Sequence, residues 1–149
     1  SSLYTNINDY RYRTSLRTTA EVGGTIFSVF QKYMGGDSLY MQMIPMLRIS
    51  EMYYIKAEIQ LEKGLETDAM QTLTEFLKHR GVDSPSILTP QALLDDEYRK
   101  EFFGEGQLFF YYKRLNRSSI PNATSTSGTV SMNSATYVLP IPDGETQYN

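Results

Sequence analysis

Two glutamates four residues apart, Glu101 and Glu105, are the side chains in this sequence best suited to acid/base chemistry. Hydrolysis of a glycosidic bond uses a pair of carboxyl groups, one as the proton donor and the other as the base or nucleophile. However, Gly104 lies between them and favours a bend, and glutamates at this spacing usually belong to a solvated or salt-bridged helix face. We therefore predict that both glutamates serve structure near the bend at Gly104 and Gly106, and that the chain is not an enzyme.

Other catalytic residue sets lack the members they need. The chain has no Cys, and its one His, His79, lies between Lys78 and Arg80 at a predicted helix end, where a cation favours the helix dipole. The paired glycines are not in the strand, loop and helix context of a phosphate-binding loop. We therefore predict no catalytic residue, no metal ligand and no cofactor.

Aromatic residues are the unusual feature of the composition, with 12 Tyr, 7 Phe and no Trp. The Tyr pairs at 53–54 and 111–112 lie in segments of helical spacing, which favours packing in the core. The tyrosines near the start of the sequence lie in an irregular segment, where side chains are expected to be accessible to a ligand. We therefore predict that the ligand-contacting residues are Tyr4, Tyr10, Arg11 and Tyr12.

Composition and charge exclude several functional classes. The net charge of -3 gives no broad positive surface for a nucleic-acid backbone. No apolar run approaches the ~20 residues that a membrane-spanning helix needs. The 149 residues are enough for one domain with a sizeable core. The sequence thus predicts a globular domain that does not bind nucleic acid.

The middle of the chain has helical periodicity. Residues 46–63 predict a helix with two apolar faces, one of which carries Met52, Ile55 and Ile59, so we expect contacts on both sides of it. Residues 67–80 predict a second helix, which forms an antiparallel hairpin with the first because only a short connection separates them. A third helix begins at Thr89 and Pro90, and a fourth is predicted over 107–115.

The flanks are irregular. A β-branched and aromatic run over 25–30 predicts a strand, residues 117–128 predict a loop, and residues 137–139 predict a short strand followed by turns. These patterns divide the chain into an irregular, strand-containing segment (1–45), a helical core (46–116), and a Ser/Thr-rich loop with a short strand and terminal turn (117–149).

Three stretches of the sequence resemble the C-terminal region of the SusD/RagB family. Residues 47–58 read LRISEMYYIKAE, similar to the family helix LRLAExYLxxAE; residues 99–107 read RKEFFGEGQ, similar to the family signature RxE(L/F)xxEGx; and residues 137–142 end in the closing Pro-Ile-Pro. Fainter similarities lie upstream, at residues 9–11 and 32–33. The residues that carry the main motifs are Arg48, Glu51, Glu58, Arg99, Glu101, Glu105 and Gly106.

The resemblance implies a mainly α fold with tetratricopeptide-like helical hairpins and irregular, short-strand flanks. It also implies a non-enzymatic component of nutrient uptake in Gram-negative bacteria. Such a protein captures oligosaccharide or another nutrient at the cell surface and caps a SusC-like TonB-dependent transporter. Its contact with the outer membrane would be a lipid anchor upstream of this chain, so we expect the chain to be the C-terminal part of a longer protein that holds much of the ligand site.

The sequence departs from the family pattern after the second motif. Where the family commonly continues with Arg-Trp-x-Asp-Leu, this chain has Leu108, Phe109, Tyr111 and Tyr112, and it keeps Arg114. The departure indicates a divergent branch and leaves the ligand preference open.

Two other functions remain in competition. A helical-repeat scaffold that binds only protein would show an extended apolar patch on its helix faces, whereas a sugar-binding surface would show exposed aromatic rings beside polar groups. A glycoside hydrolase would need Glu101 and Glu105 accessible and close to each other.

Overall fold

The protein is mainly α-helical. The computed structural model describes residues 4, 6–15, 18–29, 32, 47–87, 89–122, 128–140 and 142. In these ranges the elements are α1 (Tyr10–Ser15), β1 (Thr18–Val22), β2 (Thr25–Val29), α2 (Ile49–Glu62), α3 (Glu66–Lys78), α4 (Pro90–Glu101), α5 (Gln107–Arg114), β3 (Ser119–Pro121) and β4 (Thr129–Ser131). The predicted fold class is confirmed at this level.

The described residues form two compact units. The first unit runs to Glu101 and contains α1 to α4 with strands β1 and β2, and the second begins at Phe102 and contains α5, β3 and β4. The division falls directly after α4, so Glu101 and Glu105 belong to different units.

Helices α2 and α3 pack against each other and run antiparallel. The ring of Tyr54, in the first half of α2, lies 5.4 Å from that of Phe76 near the end of α3. Thr72, earlier in α3, donates a hydrogen bond of 2.9 Å to Gln60 near the end of α2. Gly64 reverses the chain between the helices with a φ of 72°, a conformation that favours glycine. The predicted pair of packed helices is therefore observed.

The two apolar faces of α2 differ in burial. Tyr54 and Ala57 are buried, but Met52, Ile55 and Ile59 are 49%, 39% and 45% exposed. Within the described residues the second face is therefore only partly covered, and further contacts on it stay a prediction.

Helix α4 completes the core of the first unit by packing on both α2 and α3. Leu93, Leu94 and Tyr98 are buried on it, and the ring of Tyr98 lies 5.1 Å from that of Tyr54. The apolar line predicted for this helix, which continues to Phe102, is buried along its length.

Strands β1 and β2 form an antiparallel hairpin in which Val22 pairs with Thr25. Gly23 and Gly24 supply the turn with φ values of 59° and 79°. A two-residue turn with both φ values positive matches the twist of the strands and favours a Gly-Gly pair. The strand predicted over 25–30 is confirmed to Val29, whereas β1 and the short helix α1 were predicted as irregular.

The second unit corrects two predictions. Residues 119–121 were predicted as loop, but they form β3, which pairs with β4 as an antiparallel ladder. Residues 137–139 were predicted as a strand, but Tyr137 lies in a turn and Val138 in a bend. The physical reason is Asn133, whose Oδ1 accepts hydrogen bonds from the backbone N–H groups of Ala135 and Thr136 and so favours a turn.

Two predicted features lie outside the described residues: the start of the first helix at Met46 and the terminal turn from Asp143 onward. Among the helices of the described ranges, none has the length and apolar character needed to cross a bilayer.

Candidate functional site

A cluster of charged side chains lies in the core of the first unit. Asp9, Glu97 and Glu101 are 1%, 0% and 2% exposed, and Arg11, which lies among them, is 6% exposed. Glu97 and Glu101 are one turn apart on α4, so both project from the same face as buried Leu94 and contact the same cation. We call these four residues, with their partners Arg48, Ser50, Tyr54, Arg80 and Lys100, the core charge network.

Arg11 joins all three carboxylates. Its Nη2 lies 2.8 Å from Asp9 Oδ2 and 2.8 Å from Glu97 Oε2, and its Nη1 lies 3.3 Å from Glu101 Oε2. Its Nε donates a hydrogen bond of 3.0 Å to Asp9 Oδ1, which also accepts the backbone N–H of Arg11 at 2.9 Å. The planar guanidinium presents its donors in a fixed fork, so Arg11 can bind several carboxylates at once.

The charge of Arg11 is maintained by these partners. Burial by itself would lower the pKa of the guanidinium, but the Asp9 hydrogen bond and the negative charge of Glu97 raise that pKa above its ordinary value. Arg11 therefore remains a cation in the core.

Glu101 gathers donors from three other segments. Its Oε1 accepts hydrogen bonds from Ser50 Oγ at 3.0 Å and Arg80 Nη2 at 2.8 Å, and it lies 3.5 Å from Arg48 Nη1. The backbone carbonyl of the same residue accepts a hydrogen bond from Lys32 Nζ. Glu101 thus connects α2, the end of α3 and the N-terminal segment to α4.

Glu97 has a different set of partners. The Tyr54 hydroxyl donates a hydrogen bond of 3.2 Å to its Oε2, and Lys100 Nζ lies 3.5 Å from its Oε1. Burial raises the pKa of the Glu97 carboxyl, while the charges of Arg11 and Lys100 lower it in part. Burial also raises the pKa of Tyr54, and the negative charge of Glu97 adds to that effect, so the phenol stays protonated and donates.

This arrangement suits structure better than chemistry. Each of the six carboxylate oxygens of Asp9, Glu97 and Glu101 has a donor or cation close to it. A general base needs an oxygen within reach of a substrate proton, and these oxygens are engaged inside the core. The network therefore matches buried charges to one another.

The structure separates the predicted ligand-contacting residues into two kinds. Tyr4 is 1% exposed and its hydroxyl donates a hydrogen bond of 2.7 Å to the backbone oxygen of Lys100, and Arg11 is buried in the core charge network. The expectation that these two side chains are accessible is therefore wrong. Tyr10 is 58% exposed and Tyr12 is half-buried, and for them the ligand contact stays a prediction.

The residues that carry the family resemblance are placed as follows. Arg48 and Glu101, from the first two motifs, meet in the core charge network. Glu58 is buried on α2, and Glu51 and Arg99 are half-buried on α2 and α4. Glu105 and Gly106 lie in the second unit, where Gly106 precedes α5 with a φ of 78°.

Sequence reasoning did not assign Glu97, Ser50, Tyr54 or Arg80 to a site. One signal for Glu97 was present, because it falls between the buried Leu94 and Glu101 on the apolar face of α4. A carboxylate on an apolar helix face indicates a buried partner, either a cation or a hydrogen-bond donor. The sequence does not show that this partner is Arg11.

A second surface feature is an open groove on the outer side of α3. Its described lining consists of Glu66, Thr67, Met70, Gln71, Thr74, Glu75, Lys78 and Pro90. This lining includes none of the four predicted ligand-contacting residues. Among the residues that the structure describes, no group of three or more His, Cys, Asp or Glu side chains has the arrangement of a metal site.

Comparison of the chain with protein-family models, with curated proteins and with solved structures gives no match.

Proposed function

We propose that this chain is part of a SusD/RagB-type protein, a non-enzymatic component that captures a glycan or other nutrient for a TonB-dependent transporter of the outer membrane. The observation that carries the proposal is the meeting point of the resembling segments. Arg48 and Ser50 of the first motif contact Glu101 of the second, and so do the upstream residues Arg11 and Lys32. Asp9, also upstream, joins them through Arg11.

This convergence supports the resemblance for a physical reason. Buried charges are costly unless each has a partner, so a fold that uses such a network needs the same residue types at the same positions. Residues that resemble a family signature by chance would have no reason to meet in one core.

The helical arrangement adds support. The antiparallel pair α2 and α3, with α4 packed on both, is compatible with a tetratricopeptide-like succession of helices. In such a succession each helix pair buries its remaining apolar face against a neighbouring pair. The exposed Met52, Ile55 and Ile59 of α2 would then face a neighbouring helix pair of the full-length protein.

The absence of catalysis is part of the proposal. Glu101 is 2% exposed and bound by arginines, so it is badly placed to donate a proton to a glycosidic oxygen. Tyr10 and Tyr12 remain the candidates for ligand contact within this chain. Further ligand contacts, the transporter interface and a lipid anchor at the cell surface would belong to the full-length protein.

A glycan panel and the upstream coding sequence test this function. The upstream sequence should encode a signal peptide followed by a Cys for lipidation. Titration calorimetry of the full-length protein should show saturable binding to at least one oligosaccharide, without release of product. An upstream sequence with no export signal, together with no binding across the panel, would contradict the proposal.

A helical-repeat scaffold that binds only protein is the second candidate. The observation in its favour is the apolar stripe on α2, made of Ile49, Met52, Ile55 and Ile59, with exposed fractions from 39% to 71%. The two candidates differ in the panel experiment, since a scaffold would bind none of the oligosaccharides. In a scaffold, replacing Ile59 by Lys would also leave the melting temperature unchanged but weaken association with its protein partner.

A further inference from the structure

We infer that the N-terminal segment of residues 4 and 6–12 is a latch, a peptide that docks on α4 and on the turn after α3 and opens separately from helices α2 to α4. Its docking depends on two features: the guanidinium of Arg11, which binds Glu97 and Glu101, and the close approach of the segment's backbone to Gly81. This inference does not depend on the proposed function.

Contacts among the described residues hold the segment at three places. At its start, the Tyr4 hydroxyl donates to the backbone oxygen of Lys100 at 2.7 Å. Near its middle, the backbone N–H of Tyr10 donates to the backbone oxygen of Arg80 at 2.9 Å. Beyond that point, Arg11 inserts between Glu97 and Glu101. These contacts are with α4 and with the turn after α3, and the segment contributes no residue to helices α2, α3 or α4.

The contact at Gly81 is steric and independent of charge. A Cβ atom added at this glycine would lie 2.5 Å from the backbone oxygen of Asn8 and 3.3 Å from the Tyr10 ring. Carbon and oxygen atoms do not approach so closely without displacement, so the latch fits this turn only because residue 81 has no side chain. Gly64 has a similar φ, 72° against 80°, and a Cβ there would meet nothing within 4 Å.

The helices keep other partners when the latch opens. Glu101 would retain Arg80, Ser50 and Arg48, and Glu97 would retain Tyr54 and Lys100. The helical core can therefore persist in the opened state, and this distinguishes a latch from an integral part of the core. Opening still costs free energy, because both glutamates lose the buried cation that they share.

Native-state hydrogen exchange of the full chain, followed in low denaturant, tests the inference. In the wild-type protein, the amides of Tyr10 and Tyr12 should exchange through an opening of lower free energy than that of the α4 amides. Replacing Arg11 by Ala should speed exchange of the latch amides by about 100-fold while α2 to α4 keep their protection. Arg99→Ala, which removes an arginine from α4, is the matched control and should leave latch exchange unchanged.

A second pair of variants separates the steric contact from the charge. Gly81→Ala should open the latch, whereas Gly64→Ala introduces comparable backbone strain and should leave the latch closed. If Arg11→Ala does not fold, this pair and the wild-type measurement still decide the question. Latch and α4 amides that exchange together in the wild-type protein and in every folded variant would overturn the inference.

Chemical rescue tests the guanidinium itself. Millimolar ethylguanidinium should slow latch exchange in Arg11→Ala, because it can occupy the space between Glu97 and Glu101, and sodium chloride at equal ionic strength should not. Arg11→Lys should restore little protection, because an ammonium cannot present the same fork of donors. Full protection in Arg11→Lys would show that charge alone holds the segment.

Discussion

At the scale of single residues, the molecule is defined by charges matched inside its core. Three carboxylates and three arginines meet there, and Glu101 alone is shared by Arg11, Arg48 and Arg80. Such a network contributes little net stability compared with an apolar core of equal volume, but loss of one member takes a counter-charge from each buried partner that remains.

Replacing Glu101 by Gln should therefore destabilise the protein strongly. The amide removes the negative charge shared by three arginines, and we expect the free energy of unfolding to fall by about 3–5 kcal/mol. Urea denaturation followed by circular dichroism measures this change. Glu62→Gln, on the exposed end of α2, is the control and should change stability by less than about 0.5 kcal/mol. Equal stability of the two variants would contradict a structural role for Glu101.

Glu97 gives the protein a pH dependence of defined sign. Its folded-state pKa is raised above the ordinary 4.5, mainly by burial, so the folded protein holds the proton more tightly than the unfolded chain does. The stability associated with this proton is complete below pH 4.5 and is lost as pH rises through the raised pKa. The amide of Glu97→Gln does not ionise and therefore lacks this loss.

The measurement is the difference in unfolding free energy between the wild-type protein and Glu97→Gln across a pH series from about 4 to 8. As pH rises, the unfolding free energy of the wild-type protein should fall relative to that of Glu97→Gln. A rise in the unfolding free energy of the wild-type protein relative to the variant would mean that the charges of Arg11 and Lys100 outweigh burial and lower the pKa of Glu97.

At the scale of elements, the first unit depends on the packing of α2, α3 and α4 around a few aromatic rings. Phe76 lies 5.2 Å from the Tyr53 ring and 5.4 Å from the Tyr54 ring, and the Arg80 guanidinium lies 5.0 Å above it. The ring therefore joins the two helices and also supports one arginine of the core charge network.

Replacing Phe76 by Ala should cost about 3–5 kcal/mol of unfolding free energy, from lost burial and the cavity that remains. Phe110→Ala removes the same group at a site that is 66% exposed, and should cost much less. Thermal unfolding of both variants provides the comparison. Similar melting temperatures would show that α2 and α3 do not depend on this contact.

At the scale of the whole molecule, the proposed function predicts that the chain by itself binds oligosaccharides more weakly than the full-length protein of that proposal. Sugar recognition needs aromatic surfaces and several polar groups converging on one site. Tyr4 and Arg11 are buried, so only Tyr10 and Tyr12 remain of the four predicted contacts. The remaining contacts must still meet the entropy cost of association, so the loss of affinity should be steep.

Calorimetry of the chain and the full-length protein against the same glycans decides this prediction. Equal affinities would place the whole site within residues 1–149, and replacement of Tyr10 and Tyr12 by Ala should then abolish binding.

Much of the fold was determined by local sequence. Apolar residues at helical spacing predicted α2 to α5, and the short connection between α2 and α3 predicted that they form a hairpin, because both depend on residues a few positions apart. At the flanks, the β propensity of a segment did not predict its structure. Tyr137 lies in a β-prone run, yet the side-chain hydrogen bonds of Asn133 favour a turn there.

The core charge network was decided by tertiary structure alone. Arg11 lies 86 positions from Glu97 and 90 positions from Glu101 in the sequence, and no local pattern joins residues at that separation. The sequence placed Arg11 in an irregular segment, where exposure is the default expectation for an arginine. Arg11 is buried because Glu97 and Glu101 project toward it from one face of α4. A cation can leave water when it meets counter-charges in the core.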